Sequence, residues 1–156
     1  MPDEPAQPWA AQIHKGATAM PIESIQQDMF TVLHGEPVPV VTRWTYDASD
    51  PFAVSFAVQT RNDRWIEWFV ARDLVVAAFD GPAGEGDIRM SPQLVAGYDI
   101  VEFEARSTGG RAVLEVDRAL LRRFIDSSID VVALGHEAMR MDLDKELAKI
   151  TRSCAG

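Results

Sequence analysis

From about residue 25 to residue 70 the apolar and polar residues read as strands broken by turns, with period-two alternation in the second and third. Residues 25–33 read as a first strand with Met29 and Phe30 supplying bulk, closed by a turn through His34, Gly35, Glu36 and Pro37. Val38, Val40, Thr42, Trp44 and Tyr46 share one face of a second strand. Asp47, Asp50 and Pro51 then supply the Asx side chains and fixed proline φ of a turn. The third strand alternates most cleanly, with Phe52, Val54, Phe56 and Val58 on one face and Ala53, Ser55, Ala57 and Gln59 on the other. Such alternation marks an antiparallel strand with one buried face. After a turn at Arg61, Asn62 and Asp63, residues 65–70 are apolar on both faces and read as a buried strand, with Glu67 near an edge or an interface.

That strand runs straight into a short helix over residues 71–79, on which Leu74, Val75, Ala78 and Phe79 form a stripe and Asp73 suits the positive end of the dipole. Gly81 and Pro82 stop it, and a glycine turn leads to further strands. These are expected at 87–91, at 94–95, at 99–106 with Val101, Phe103 and Ala105 inward, and at 111–116. The last two are joined by a hairpin turn over 107–110. Asp117 caps a helix to about Ser128 that buries Leu120, Leu121, Phe124 and Ile125, and a final helix starts near Asp142 with Leu143, Leu147 and Ile150 on one face. The predicted class is α+β: two largely antiparallel sheets with a connecting helix and C-terminal helices, the two halves reading as pseudo-repeats. Residues 25–152 make one domain. Residues 1–24, with Pro2, Pro5 and Pro8 opposing regular structure, are expected to be a flexible leader with room for a short helix over 9–14, and Met20 is an alternative start.

Charge narrows the partners. The 156 residues carry a formal net charge of −9, so the chain gains no counterion release on a phosphate backbone, and neither nucleic acid nor an anionic membrane surface is the expected partner. One cysteine, Cys154, cannot staple a fold, and no apolar run approaches the roughly 20 residues of a membrane helix, which suits a cytoplasmic setting.

No catalytic, cofactor or metal constellation emerges. The loop through Gly81, Gly84, Gly86 and Asp87 runs from helix to strand, the reverse of a phosphate loop, and Glu85 and Asp87 repel an anion. His14, His34 and His136 share no ligand spacing, and Asp142 and Asp144 read as helix-dipole partners before they read as a cation site. Glu102 and Glu104 lie on the wet side of an alternating strand, and Cys154 is poorly placed as a nucleophile. Trp44, Trp65 and Trp68 could stack nucleobases only beside a basic groove, for which Arg61, Arg64, Arg72 and Arg122 are the available residues.

Several runs carry a family resemblance: Trp44-Thr45-Tyr46-Asp47, Asp50-Pro51-Phe52-Ala53-Val54 and Glu67-Trp68-Phe69-Val70-Ala71-Arg72-Asp73-Leu74. Gly81-Pro82, Gly84, Gly86-Asp87-Ile88-Arg89 with Pro92, and Asp142-Leu143-Asp144 with Glu146-Leu147 extend the set. In this order and spacing the chain from about Ser24 to Ile150 resembles the SsgA-like proteins of actinobacteria, nearest to their SsgB branch. The resemblance implies a non-enzymatic protein that marks sporulation division sites and recruits FtsZ at the septum, with a second SsgA-like protein acting upstream. It also implies a homotrimer with a fold similar to Whirly-type single-stranded DNA-binding proteins, and single-stranded nucleic-acid binding is the alternative reading. It implies no cofactor. Its signature positions Asp47, Asp50, Pro51, Trp68, Arg72, Asp73, Gly84, Gly86 and Asp87 are expected to be structural: aspartate turns, a buried Trp68, and glycines at positive φ.

Overall fold

The computed structural model describes residues 22–154. Seven strands and three helices follow one another as β1 (Ser24–Leu33), β2 (Val40–Asp47), β3 (Ala53–Gln59), β4 (Trp65–Ala71), α1 (Arg72–Ala78), β5 (Ile88–Val95), β6 (Tyr98–Ser107), β7 (Gly110–Asp117), α2 (Arg118–Val131) and α3 (Glu137–Cys154). All strand neighbours pair antiparallel, in the order β4-β3-β2-β1-β7-β6-β5. The expected two sheets are one sheet, and β1 is the reason. It pairs with β2 from Ser24 opposite Asp47 to Thr31 opposite Val40, then passes to β7 through Val32 opposite Glu115 and Leu33 opposite Leu114. Ten residues long against eight for β2, it joins two antiparallel wings.

The core lies between the inner face of this sheet and helices α1 and α2. Phe56 sits at its centre, stacked on Trp44 (centroids 5.1 Å apart) and on Trp68 (5.2 Å), and edge-on to Phe103 of the other wing (4.3 Å). Phe124 of α2 closes the cluster against Trp44. The indole N–H of Trp44 donates to the Thr42 hydroxyl at 3.2 Å, and that hydroxyl meets Thr31 at 2.8 Å, so the polar atoms of the cluster are satisfied inside it. Asp117 caps α2 as expected, accepting the Leu120 N–H at 2.8 Å, and Leu121, Phe124 and Ile125 are buried.

Several expectations change. β4 is an edge strand paired only with β3, and of its residues only Val70 is buried. Trp65, Ile66 and Phe69 are exposed and Trp68 is half-buried, so an apolar composition on both faces marks exposure here, not a central strand. Phe52, expected on the buried face of the third strand, is exposed because it precedes β3; Phe30, to which the sequence reading assigns no face, is exposed with the parity of Asp28, opposite buried Met29 and Thr31. β5 runs unbroken through Pro92. Pro92 is tolerated because β5 is the other edge, and the short bridge from Met90 to Ala83 has already ended there. The turn into β6 places Ala96 (φ 50°) and Gly97 (φ 82°) in the left-handed region, which a tight hairpin requires. α3 begins at Glu137, five residues before Asp142, because Glu137 is drawn into the domain by a buried cation. The leader's expected helix over 9–14 and Met20 lie outside the described residues.

Candidate interaction surface

Two parts of the molecule stand out: a buried polar node that gathers several of the predicted signature residues, and an apolar area on the outer face of the sheet. The node is built on Arg72, the first residue of α1, whose backbone N–H donates to Phe52 O at 2.8 Å. Its guanidinium is fully buried. Nη1 donates to the carbonyls of Ser128 (3.1 Å) and Val132 (2.8 Å) at the end of α2, and Nη2 donates to Glu137 Oε1 (2.7 Å) at the start of α3. The guanidinium also lies 4.6 Å from the centre of the Tyr46 ring, and the Tyr46 hydroxyl donates to Pro51 O at 2.9 Å. One residue therefore ties the β2–β3 turn to α1, α2 and α3.

The signature aspartates complete this region. Asp47 Oδ1 accepts the Ser49 N–H at 2.8 Å, and that contact holds the Asp47 carboxyl below its ordinary range. Asp50 N–H donates to Asp47 O, and Asp73 lies exposed in the first turn of α1. Burial pushes the Glu137 carboxyl up, but the Arg72 hydrogen bond and charge, with backbone N–H groups, outweigh it and hold the group below the usual glutamate value. Burial pushes the Tyr46 hydroxyl up to about 12. Gly84 (φ 96°) is where a side chain cannot fit, since a Cβ would lie 2.3 Å from Ile88 O, whereas Gly86 (φ 74°) faces open space. Asp87 O accepts the Arg106 N–H at 2.7 Å and fastens the loop to β6.

The nucleobase platform does not assemble. Trp44 is in the core, Arg72 is buried in the node, and Arg61 is held by Glu36 at 2.8 Å. Arg122 lies over Phe79 and beside Asp126. Arg64 is exposed, with Trp65 already covered by Arg43 at 4.4 Å, itself paired with Asp28. The other candidates are dispersed. His34 meets Glu115 at 3.0 Å, Glu104 clamps Arg106 (2.6 Å) and Arg111 (2.9 Å), and Asp144 faces Arg140 while Asp142 stays exposed.

The outer face carries what sequence reasoning missed. Phe30 on β1 and Tyr98 at the start of β6 are 74% and 73% exposed, and both line a depression of about 300 Å³ with Val32, Val95 and Ile100. Glu115 and Asp117 form its acidic side. A second apolar area, Trp65 and Phe69, lies on β4, separated from the first by the polar pair Asp28 and Arg43. Clustered exposed aromatics rimmed by charge characterise protein-binding surfaces. Strict alternation along β1 was the signal that could have found Phe30. Tyr98 needed knowledge of the hairpin.

Fold and surface thus define a sheet-based protein whose distinctive exposed chemistry is apolar. Comparison with known proteins gives the family: residues 40–137 match the model of "Streptomyces sporulation and cell division protein, SsgA", and the chain belongs to this SsgA family. A sporulation-specific cell division protein SsgB from Frankia casuarinae is 37% identical over 114 residues, covering 73% of this chain and 80% of the relative. SsgB from Streptomyces coelicolor is 36% identical over 114 residues, covering 73% and 82%. The solved structure of an SsgA-like sporulation-specific cell division protein from Thermobifida fusca superposes with a TM-score of 0.74 at 30% identity, covering 81% of this chain and 94% of that one. An SsgB structure from a study of longitudinal cell division during sporulation of Streptomyces coelicolor gives 0.72 at 28% identity, covering 75% and 94%. Among the described residues no helix is long and apolar enough to cross a membrane.

Proposed function

We propose that this protein is a non-enzymatic scaffold of sporulation-specific division, which marks division sites at the septum from the cytoplasmic side and recruits FtsZ there. Its relatives are named sporulation-specific cell division proteins, which supports the process. The observation that carries the binding role is the pairing of Phe30 and Tyr98 on one open surface. Neither side chain is buried by the fold, and large aromatic side chains in a shallow depression are the usual anchors of a protein partner. The exposed apolar face of edge strand β4 supports self-association into the homotrimer that the family resemblance implies, since an unpaired strand edge is a template for another chain. A second SsgA-like protein is the further partner in this reading. The test is co-sedimentation of the purified protein with polymerising FtsZ of the same organism, with oligo(dT) binding at matched salt alongside. Enrichment in the FtsZ pellet without DNA retention is expected. Salt-sensitive DNA retention without FtsZ enrichment would overturn the proposal.

A further inference from the structure

The chain repeatedly seats an arginine between an aromatic ring and a carboxylate. Arg72 lies over Tyr46 and pairs with Glu137, Arg43 lies over Trp65 and pairs with Asp28, and Arg122 lies over Phe79 and pairs with Asp126. The guanidinium carbons stand 4.6, 4.4 and 5.1 Å from the respective ring centres. The physical reason is general: a planar cation is drawn to the negative face of a ring, and its fork of N–H groups fits a carboxylate. The Phe30–Tyr98 depression is a fourth set of rings and carboxylates, and among the described residues no arginine lies over either ring.

Its acidic side is also crowded. Register places Glu115 opposite Val32 across β1 and β7, Asp117 opposite Ile100 across β6 and β7, and Glu102 directly opposite Glu115. Like charges directly across a strand pair repel. The basic group in contact with Glu115 is His34, whose Nε2 meets one carboxylate oxygen at 3.0 Å and which carries charge only when protonated. Asp117 uses Oδ1 for the cap of α2 and keeps a second oxygen. A cation entering the depression would relieve this repulsion, and the chain as a whole, at −9, favours a basic visitor.

We propose that this depression receives an arginine carried on an apolar segment of the protein partner, its guanidinium against the Phe30 and Tyr98 rings and its N–H groups on Glu115 and Asp117. The proposal rests on the reading of this depression as the partner's site and adds which side chain the site selects. Lysine fits less well, because a compact and strongly hydrated ammonium gains less from a ring face and cannot fork onto a carboxylate. The apolar walls of the depression take the residues on either side of the arginine, so charge selects the anchor and apolar contact holds the segment.

The test has two arms, both on the full chain. In the first, the protein is titrated with the capped tripeptide leucine-arginine-leucine and with the same peptide carrying citrulline, the neutral isostere of arginine, while the amide resonances of Phe30, Tyr98 and Glu115 are followed. The arginine peptide should shift them saturably, and the citrulline peptide should bind about tenfold more weakly. No shift at these residues, or equal binding of the two peptides, would overturn the proposal. In the second arm, FtsZ affinity is compared between wild type and a variant carrying Glu115→Gln and Asp117→Asn, which keeps both side-chain shapes and an acceptor for the cap of α2. About a tenfold loss at low salt, with a shallower salt dependence, is expected. Unchanged affinity in this variant, where Phe30→Ser with Tyr98→Ser abolishes binding, would overturn the arginine and leave the docking surface standing. Discrimination between the two peptides by a wild-type protein that does not bind FtsZ would support the arginine site and count against the recruiting role alone.

Discussion

Removing the Arg72 guanidinium should cost more stability than any exposed substitution, and the geometry sets the size. In Arg72→Met the Glu137 carboxylate, 7% exposed at its side chain, loses its partner, which for buried pairs costs about 3–5 kcal/mol. The Val132 carbonyl loses its donor as well, while Ser128 O keeps the Val132 N–H at 3.0 Å. Methionine fills part of the volume, and the stranded carboxyl can take up a proton, so about 3–5 kcal/mol is expected for the whole change against a typical total of 5–15. Glu137→Gln retains an oxygen acceptor but leaves the buried cation uncompensated and turns an amide N–H₂ toward backbone donors, for about 2–3 kcal/mol. The pH dependence follows from the sign of the shift. The Glu137 carboxyl is held below its unfolded value of about 4.3, so its stabilisation is complete above that pH and is lost as pH falls through the lower folded value. Urea unfolding followed by tryptophan emission at fixed protein concentration should therefore show a wild-type to Arg72→Met gap that narrows as pH falls from about 7 to about 3, because the wild-type pair loses its stabilisation while the stranded carboxyl of the variant becomes neutral. Adding Glu137→Leu to Arg72→Met should recover part of the loss, because no buried charge remains. A loss below about 1 kcal/mol for Arg72→Met, or a gap indifferent to pH, would refute the reasoning.

The glycine loop separates two effects. Gly84→Ala should cost well over 1 kcal/mol, since it combines positive φ with a collision on Ile88 O, whereas Gly86→Ala should cost only the conformational term of about 1 kcal/mol; denaturant midpoints would rank them. Asp117→Ala should remove about 1 kcal/mol by leaving the Leu120 N–H at the start of α2 without its cap, read from the thermal midpoint. Phe69→Ser, on the exposed face of β4, should leave the protomer's unfolding free energy within about 0.5 kcal/mol of wild type while lowering the light-scattering mass at micromolar concentration.

Much of the fold was legible because local pattern and tertiary burial agree along β2, β3 and β6, where Trp44, Tyr46, Val54, Phe56, Val58, Val101, Phe103 and Ala105 are inward by alternation and buried. The cap at Asp117 and the stripe on α2 were legible for the same reason. The pattern failed where one composition serves two environments. An edge strand that offers an apolar surface reads like a central strand, so β4 was taken as buried. The node was half legible: Arg72 belongs to a recognisable run, but Glu137 lies 65 residues away, and no local rule pairs a buried cation with so distant an acid. Phe30 is assigned no face in the sequence reading, although the parity of Met29 and Thr31 turns it outward. The joining of two wings by β1 depends on where its pairing with β2 ends, a register that strand lengths alone do not give.

The most direct test of the account measures FtsZ affinity for the wild-type protein and for a variant with Phe30→Ser and Tyr98→Ser, both first shown to have the same circular dichroism and mass. Both side chains are solvent-facing, so folding should be unaffected. Anchors of this kind are each worth about 2 kcal/mol or more, so the account predicts at least a tenfold loss of affinity in the variant. Undiminished binding by the folded variant would contradict the assignment of this surface, and no binding by the wild type would contradict the recruiting role.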